Sequence, residues 1–232
     1  MKILALDSTA LTASVALCED EVLLAEYSIE NGNTHSETLL PMVESVLRMF
    51  DLTTKDIDLF AASAGPGSFT GVRIGAATVK GLAFDTQKPC IGVSTLEALA
   101  ENLSMQNALV CPVMNARRKQ VYTALFRFEN GIGTRLMPDS AIAISELDTV
   151  LAQYEEPIYL VGDGYAITKE LLTVPTSETA ERLRRQSAYS VAQVALRSYR
   201  NGTNTSDAQM VPTYLRLSQA ERERNERLKN EI

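Results

Sequence analysis

The first thirty residues alternate between apolar runs and short polar breaks. Residues 2–6 form an apolar run that stops at Asp7, residues 12–17 alternate, and residues 21–29 are extended again. Polar turns separate these runs, so the pattern predicts a three-strand meander. After Asn31, Gly32 and Asn33 the period changes to that of a helix, with Leu39, Leu40, Met42, Val43, Val46, Leu47 and Phe50. That apolar set is wider than one face on one sheet requires. If Thr38 caps this helix, Pro41 falls in the first turn, where its missing N–H is harmless. If Thr34 caps it, Glu37 completes a capping box and Pro41 should kink it.

The order then continues strand (57–64), helix (71–84), strand (89–93) and helix from Ser94 or Thr95 to about 103, which is α/β in class. From residue 108 it begins again. Strands are expected at 108–114 and 121–128, a weaker extended run at 135–144 and a helix at 145–153. A strand at 158–161, a short helix at 166–172 and a closing helix at 188–200 follow, the last stopped by Asn201 and Gly202. Tyr214, Leu215 and Arg216 read as strand-like, and interleaved Glu and Arg over 220–230 read as a solvated helix or frayed end.

Between the strand at 57–64 and its helix lies Gly65-Pro66-Gly67-Ser68-Phe69-Thr70-Gly71-Val72-Arg73-Ile74-Gly75, a sharp strand-to-helix turn with Ser68 or Thr70 as cap. Amides exposed at such a turn can hold phosphate. A P-loop would need Gly-Lys-Ser/Thr at its end, and here Thr70 and Gly71 lead to Val72 and Arg73. Close packing of a small-residue face, with Gly71, Gly75 and Thr78 at spacings of four and three, is the alternative.

This string resembles the signature of the TsaB (YeaZ) family, partner proteins of the tRNA threonylcarbamoyladenosine machinery. Further pieces fall in the family's order: Leu6 to Thr9, His35 to Glu37, Leu39 to Pro41, Ile91 to Leu96, Ala116 to Arg118 with Val121 and Tyr122, and Pro212 to Arg216. With the repeated strand order, the resemblance implies a duplicated actin-like (ASKHA, ribonuclease H-like) fold. Its two lobes would be 1–104 and 105–218, with a charged tail at 219–232. It also implies a non-catalytic scaffold that binds the TsaD transferase, works with the ATPase TsaE and meets tRNA only through the complex. The partner face would be His35, Leu39, Met42, Val43 and Val46 on one helix and Gly71, Val72, Gly75, Thr78, Val79 and Leu82 on the next. A homodimer through the same helices is a further expectation, and the alternative is that the second lobe or the C-terminal helix covers them.

Composition and candidate chemistry narrow the picture. Of the 232 residues 45% are hydrophobic, ample for a core, and the net charge of -7 repels a polyanion, so any RNA contact must be local or supplied by a partner. Arg117 to Lys119 and Arg182, Arg184, Arg185 are the compact basic clusters. Three scattered cysteines suit a reducing cytoplasm, and no apolar run reaches membrane-spanning length. In active actin-like proteins two strand-end turns hold ATP phosphates and magnesium; the corresponding set here is Asp7, Ser8, Thr9, Gly67 and Ser68, with Asn115 at the second turn. One carboxylate and an amide suit magnesium poorly, so ATP or ADP with magnesium is a minor expectation and an ATP-dependent phosphotransferase the competing function. TsaD ligates its metal with an HxxxH pair, whereas here His35, the single histidine, is followed four residues on by Leu39. No metal site and no Ser-His-Asp triad is expected.

Overall fold

The structure, a computed structural model, describes residues 1–84, 86–203 and 210–216. Its first sheet is built from β1 (Lys2–Asp7), β2 (Ala13–Glu19), β3 (Val22–Ile29), β4 (Leu59–Ser63) and β5 (Cys90–Val93), in the order β3-β2-β1-β4-β5. The first three strands are antiparallel, as the meander pattern predicts, while β4 lies parallel to β1 and β5 parallel to β4. A second sheet repeats the scheme with β6 (Ala108–Asn115), β7 (Gln120–Glu129), β8 (Ile132–Ala143) and β9 (Ile158–Val161), in the order β8-β7-β6-β9. Again the meander is antiparallel and the added strand parallel. The extended run expected to be weak is thus a full strand, longer at its start than its sequence pattern indicates.

Six α-helices among the described residues cover these sheets. They are α1 (His35–Met49), α2 (Phe69–Phe84), α3 (Thr95–Glu101), α4 (Ile144–Leu151), α5 (Tyr165–Leu171) and α6 (Ala188–Arg200). Because side chains alternate along a strand, β1 sends Leu4 and Leu6 toward α1 and α2 and Ile3 and Ala5 toward α6. The second sheet is covered by α4 and α5 on one face and by α3 on the other. The closing helix α6 therefore packs on the first sheet although it follows the second in sequence. Between α3 and α6, Arg197 holds Glu101 at 2.6 and 2.9 Å and the Ser190 hydroxyl donates to Asn102 Oδ1 at 2.6 Å.

Helix α1 starts at the earlier of the two caps. The Thr34 N–H and hydroxyl reach Glu37 Oε2 at 3.4 and 2.9 Å, which leaves Pro41 inside the helix. Its broad apolar set has an internal cause: Leu39, Met42, Val43, Val46 and Leu47 are all buried against the first sheet. On α2, Gly71, Val72, Gly75 and Val79 are buried as well. These residues, expected to meet a partner, are core. Only His35, Thr78 and Leu82 of that expected face stay partly open.

The small side of α2 is used within the chain. A Cβ on Gly71 would lie 1.9 Å from the Ser8 carbonyl oxygen, so the helix backbone rests directly on the turn after β1. The Ser8 hydroxyl returns a hydrogen bond to the Gly71 carbonyl at 2.9 Å. Replacing Gly71 by Ala must push α2 off this turn, and the expected loss is about 1–3 kcal/mol in urea unfolding. A loss below about 0.5 kcal/mol would show that the contact is slack.

Candidate functional site

Between the C-terminal ends of the two sheets lies a cleft of about 930 Å³, lined from the first half by Thr9, His35 and Gly67 to Thr70, and from the second by Asn115 to Arg117, Asp163 and Arg216. The motif pieces at 6–9, 65–75, 116–118 and 212–216, far apart in sequence, meet around it. Of the candidate nucleotide residues, Thr9, Gly67 and Ser68 line the cleft; Asp7 and Ser8 do not.

Asp7 is sealed at the end of β1, with 1% of its surface exposed. Its Oδ1 accepts the Thr9 N–H and the Thr9 hydroxyl, both at 2.8 Å, and its Oδ2 accepts the Ser63 hydroxyl at 2.5 Å. The carboxylate thus ties β1, its own turn and β4 together, the use of an Asp that turn chemistry favours. Burial pushes its pKa above the ordinary carboxylate range, against the opposing pull of the Ser63 and Thr9 donors. A magnesium ion would have to take these lone pairs away from three donors, and among the described residues no His, Cys, Asp and Glu cluster could hold a metal. Of the carboxylates lining the cleft, Asp163 accepts the Asn115 N–H at 3.2 Å and Glu30 is held by Arg185 at 3.0 Å. The residues present do not fit a magnesium nucleotide. His35 is also engaged: its Nε2 lies 2.7 Å from the Ala10 carbonyl oxygen, to which it donates.

The loop that opens α2 is held on three sides. Ser68 caps the helix, its hydroxyl 3.3 Å from the Gly71 N–H, and its own N–H donates to Thr9 O at 2.8 Å. Gly65 has φ +107°, and a Cβ there would lie 2.4 Å from the Thr213 carbonyl oxygen. Residues 210–216 cross at this point. They are not a sheet strand, as the sequence indicated, but a strap: the Thr213 N–H donates to Ala64 O at 2.7 Å. The Tyr214 ring stacks on Phe69 with centroids 4.3 Å apart and its hydroxyl accepts from Arg73 Nε at 2.7 Å. Beyond it the Arg216 guanidinium donates to the Ala116 carbonyl. Sequence reasoning found the strings containing Phe69, Arg73, Tyr214 and Arg216 but assigned these four no role. The aromatic and cationic residues in two distant motifs were the available signal.

Across the cleft stands the β6–β7 turn. Arg117, Arg118 and Lys119 have φ of 65°, 54° and 56°, three successive side-chain-bearing residues in the left-handed region. Each such residue costs roughly 1–2 kcal/mol. The turn is held by the Asn115 side chain, whose Oδ1 accepts the Arg117 N–H at 2.8 Å.

A third surface is the outer side of the helices. Arg73, Ala77, Gly81 and Phe84 of α2 are exposed, beside partly open Ile74, Thr78 and Leu82, and Leu40 and Met49 of α1 are exposed as well. Phe84 and Met49 show 80% and 79% of their surface.

The family model for TsaD, tRNA N6-adenosine threonylcarbamoyltransferase, matches residues 29–224. The tRNA threonylcarbamoyladenosine biosynthesis protein TsaB of Bacillus subtilis is 31% identical over 222 residues, 95% of this chain and 96% of that protein. TsaB of Escherichia coli is 40% identical over 135 residues, 57% of this chain and 58% of that protein. Among solved structures, YeaZ from Pseudomonas aeruginosa superposes with a TM-score of 0.81 at 26% identity, covering 92% of this chain and 99% of that one. Another, described as similar to peptidase YEAZ from the same organism, also gives 0.81 at 26%, covering 93% and 99%.

Asp7→Asn keeps an oxygen for Thr9, offers the Ser63 hydroxyl a donor and removes the charge. The raised folded pKa means that the folded state holds its proton to higher pH than the unfolded chain, so this group's contribution is fullest in acid and declines as pH rises through the folded value. The variant is therefore expected to gain on the natural protein between about pH 4 and about pH 7 in paired thermal melts. A large loss at neutral pH would mean that the ionised carboxylate stabilises the fold.

Proposed function

The chain belongs to the TsaB family of tRNA threonylcarbamoyladenosine biosynthesis proteins, and from that premise we propose that it serves this modification as a non-catalytic partner. It binds a TsaD-like transferase, works with a TsaE-like ATPase and reaches tRNA within their complex. The observation that carries the reading is Asp7. The carboxylate at the position where actin-like enzymes work on phosphate is an internal fastener with three donors on it. The competing phosphotransferase would need that group free.

Peptidase chemistry finds no support among these residues either. The single histidine is bonded through Nε2 to a backbone carbonyl. The cysteines are buried, and burial pushes the thiols of Cys18 and Cys111 up to about 12, so neither supplies a thiolate.

Partner contact is assigned to the outer side of α2 with the open part of α1, in place of the buried residues expected from sequence. Ala77 and Gly81 stand one turn apart with little side chain between them, and Ile74, Thr78, Leu82 and Phe84 flank them, so a partner helix can approach the α2 backbone closely. A second copy of the chain would use the same face and compete with the transferase.

Ala77→Glu and Gly81→Glu put charge on this exposed surface without touching the core. Each is expected to weaken capture of the TsaD-like partner at least tenfold with an unchanged melting temperature. In a reconstituted reaction, modification is expected to require this chain. An equal rate without it, or full capture by both variants, would overturn the proposal.

A further inference from the structure

The sequence contains two compact basic clusters, and the structure separates them. Arg184 and Arg185 are neutralised: Arg184 lies over the Tyr165 ring at 3.6 Å and 3.7 Å from Glu178, and Arg185 pairs with Glu30 at 3.0 Å and Glu181 at 2.7 Å. Among the described residues Arg127, Arg135, Arg197 and Arg200 are likewise on carboxylates, while Arg48 and Arg182 stand singly without an ion pair. Arg117, Arg118 and Lys119 differ in standing side by side. All three are exposed, and among the described residues none has an ion pair. The nearby carboxylate of Asp163 is bonded to the Asn115 amide rather than to a cation of the turn.

The backbone sharpens the contrast. Gly or Asn would occupy a run of left-handed positions with less strain, yet here the run carries three long cations. It is fixed at its start by the Asn115 side chain and by Arg216 of the strap on the Ala116 carbonyl, and at its end by the Ile144 N–H on the Lys119 carbonyl at 3.1 Å. A rigid turn that points unpaired cations outward, in a chain of net charge -7, is a local positive feature on a repelling background. Strained backbone kept in place by its surroundings is a mark of a working surface.

We infer that Arg117, Arg118 and Lys119 are a contact for the phosphate backbone of an RNA strand. The inference rests on the proposed role in tRNA modification and adds which residues of this chain meet the RNA. A strand of successive phosphates fits the arrangement better than a free nucleotide does. Only Arg117 lines the cleft, where Glu30 and Asp163 also lie, whereas Arg118 and Lys119 stand outside it. Contacts of this kind position the nucleic acid without reading its sequence.

The test is binding of unmodified tRNA transcript to the full chain, alone and with its TsaD-like partner, between about 50 and 200 mM salt. Changing all three residues to Gln is expected to lower affinity at least tenfold at low salt. The slope of log K against log salt should become shallower by about 2 to 3. Arg182→Gln with Arg185→Gln should leave the slope as it was, and thermal melts check that every variant is folded. Partner capture is measured in parallel. If capture fails in the natural protein, the proposed function fails. If capture holds but the triple variant binds tRNA with unchanged affinity and slope, or if no tRNA binds in either format, the RNA contact is overturned. Loss of ATP binding with tRNA binding intact would assign the turn to a free nucleotide and overturn it as well.

Discussion

The architecture turns on one close approach, that of α2 to the turn after β1. With no side chain at Gly71, the helix backbone lies against Ser8, and the Ser8 hydroxyl bonds back to the helix. That approach leaves no room between strand end and helix, so the chemistry of the turn is directed inward. Asp7 bonds Thr9 and Ser63, Ser68 bonds Thr9, and the signature loop is left to be clamped from outside by Thr213 and Tyr214. The junction of β1, β4 and α2 is thereby a structural joint.

Two consequences follow for the surface. Burial of the inner sides of α1 and α2 gives the first sheet its core, while the outer side of α2 keeps small residues and a terminal aromatic in water. A backbone that another helix can reach closely is the kind of surface that favours a specific partner. On the other side of the cleft, the electrostatics are local. Among the described residues Arg127, Arg135, Arg184, Arg185, Arg197 and Arg200 are bound to carboxylates, whereas the turn at 117–119 sets three cations without ion pairs side by side. One molecule thus presents an apolar face and a cationic turn on opposite halves, joined by the strap from Met210 to Arg216.

Much of this was legible in the sequence. The first meander and the order of helices are written in local pattern, which depends on neighbours within a few residues; the Thr34–Glu37 box and the Ser68 cap were each one of two candidates, beside Thr38 and Thr70. The orientation of α2 was not, because small apolar residues on several sides leave no single stripe to show which side is covered. The same breadth in α1 invited a partner where the sheet itself suffices. Nor could the strap be read, since the stacking of Tyr214 on Phe69 and the contact of Thr213 with Gly65 join residues far apart in sequence. Composition likewise could not separate the two basic clusters. That difference lies in the positions of Glu30, Glu178 and Glu181, which only the fold places.

The most direct test compares threonylcarbamoylation rates in the reconstituted system for two single variants, Asp7→Asn and Gly81→Glu. A joint that also carries a partner surface predicts nearly full rate for Asp7→Asn and at least a tenfold loss for Gly81→Glu at limiting partner concentration. A rate abolished by Asp7→Asn and untouched by Gly81→Glu would place the work of the protein in a reactive pocket and contradict the account.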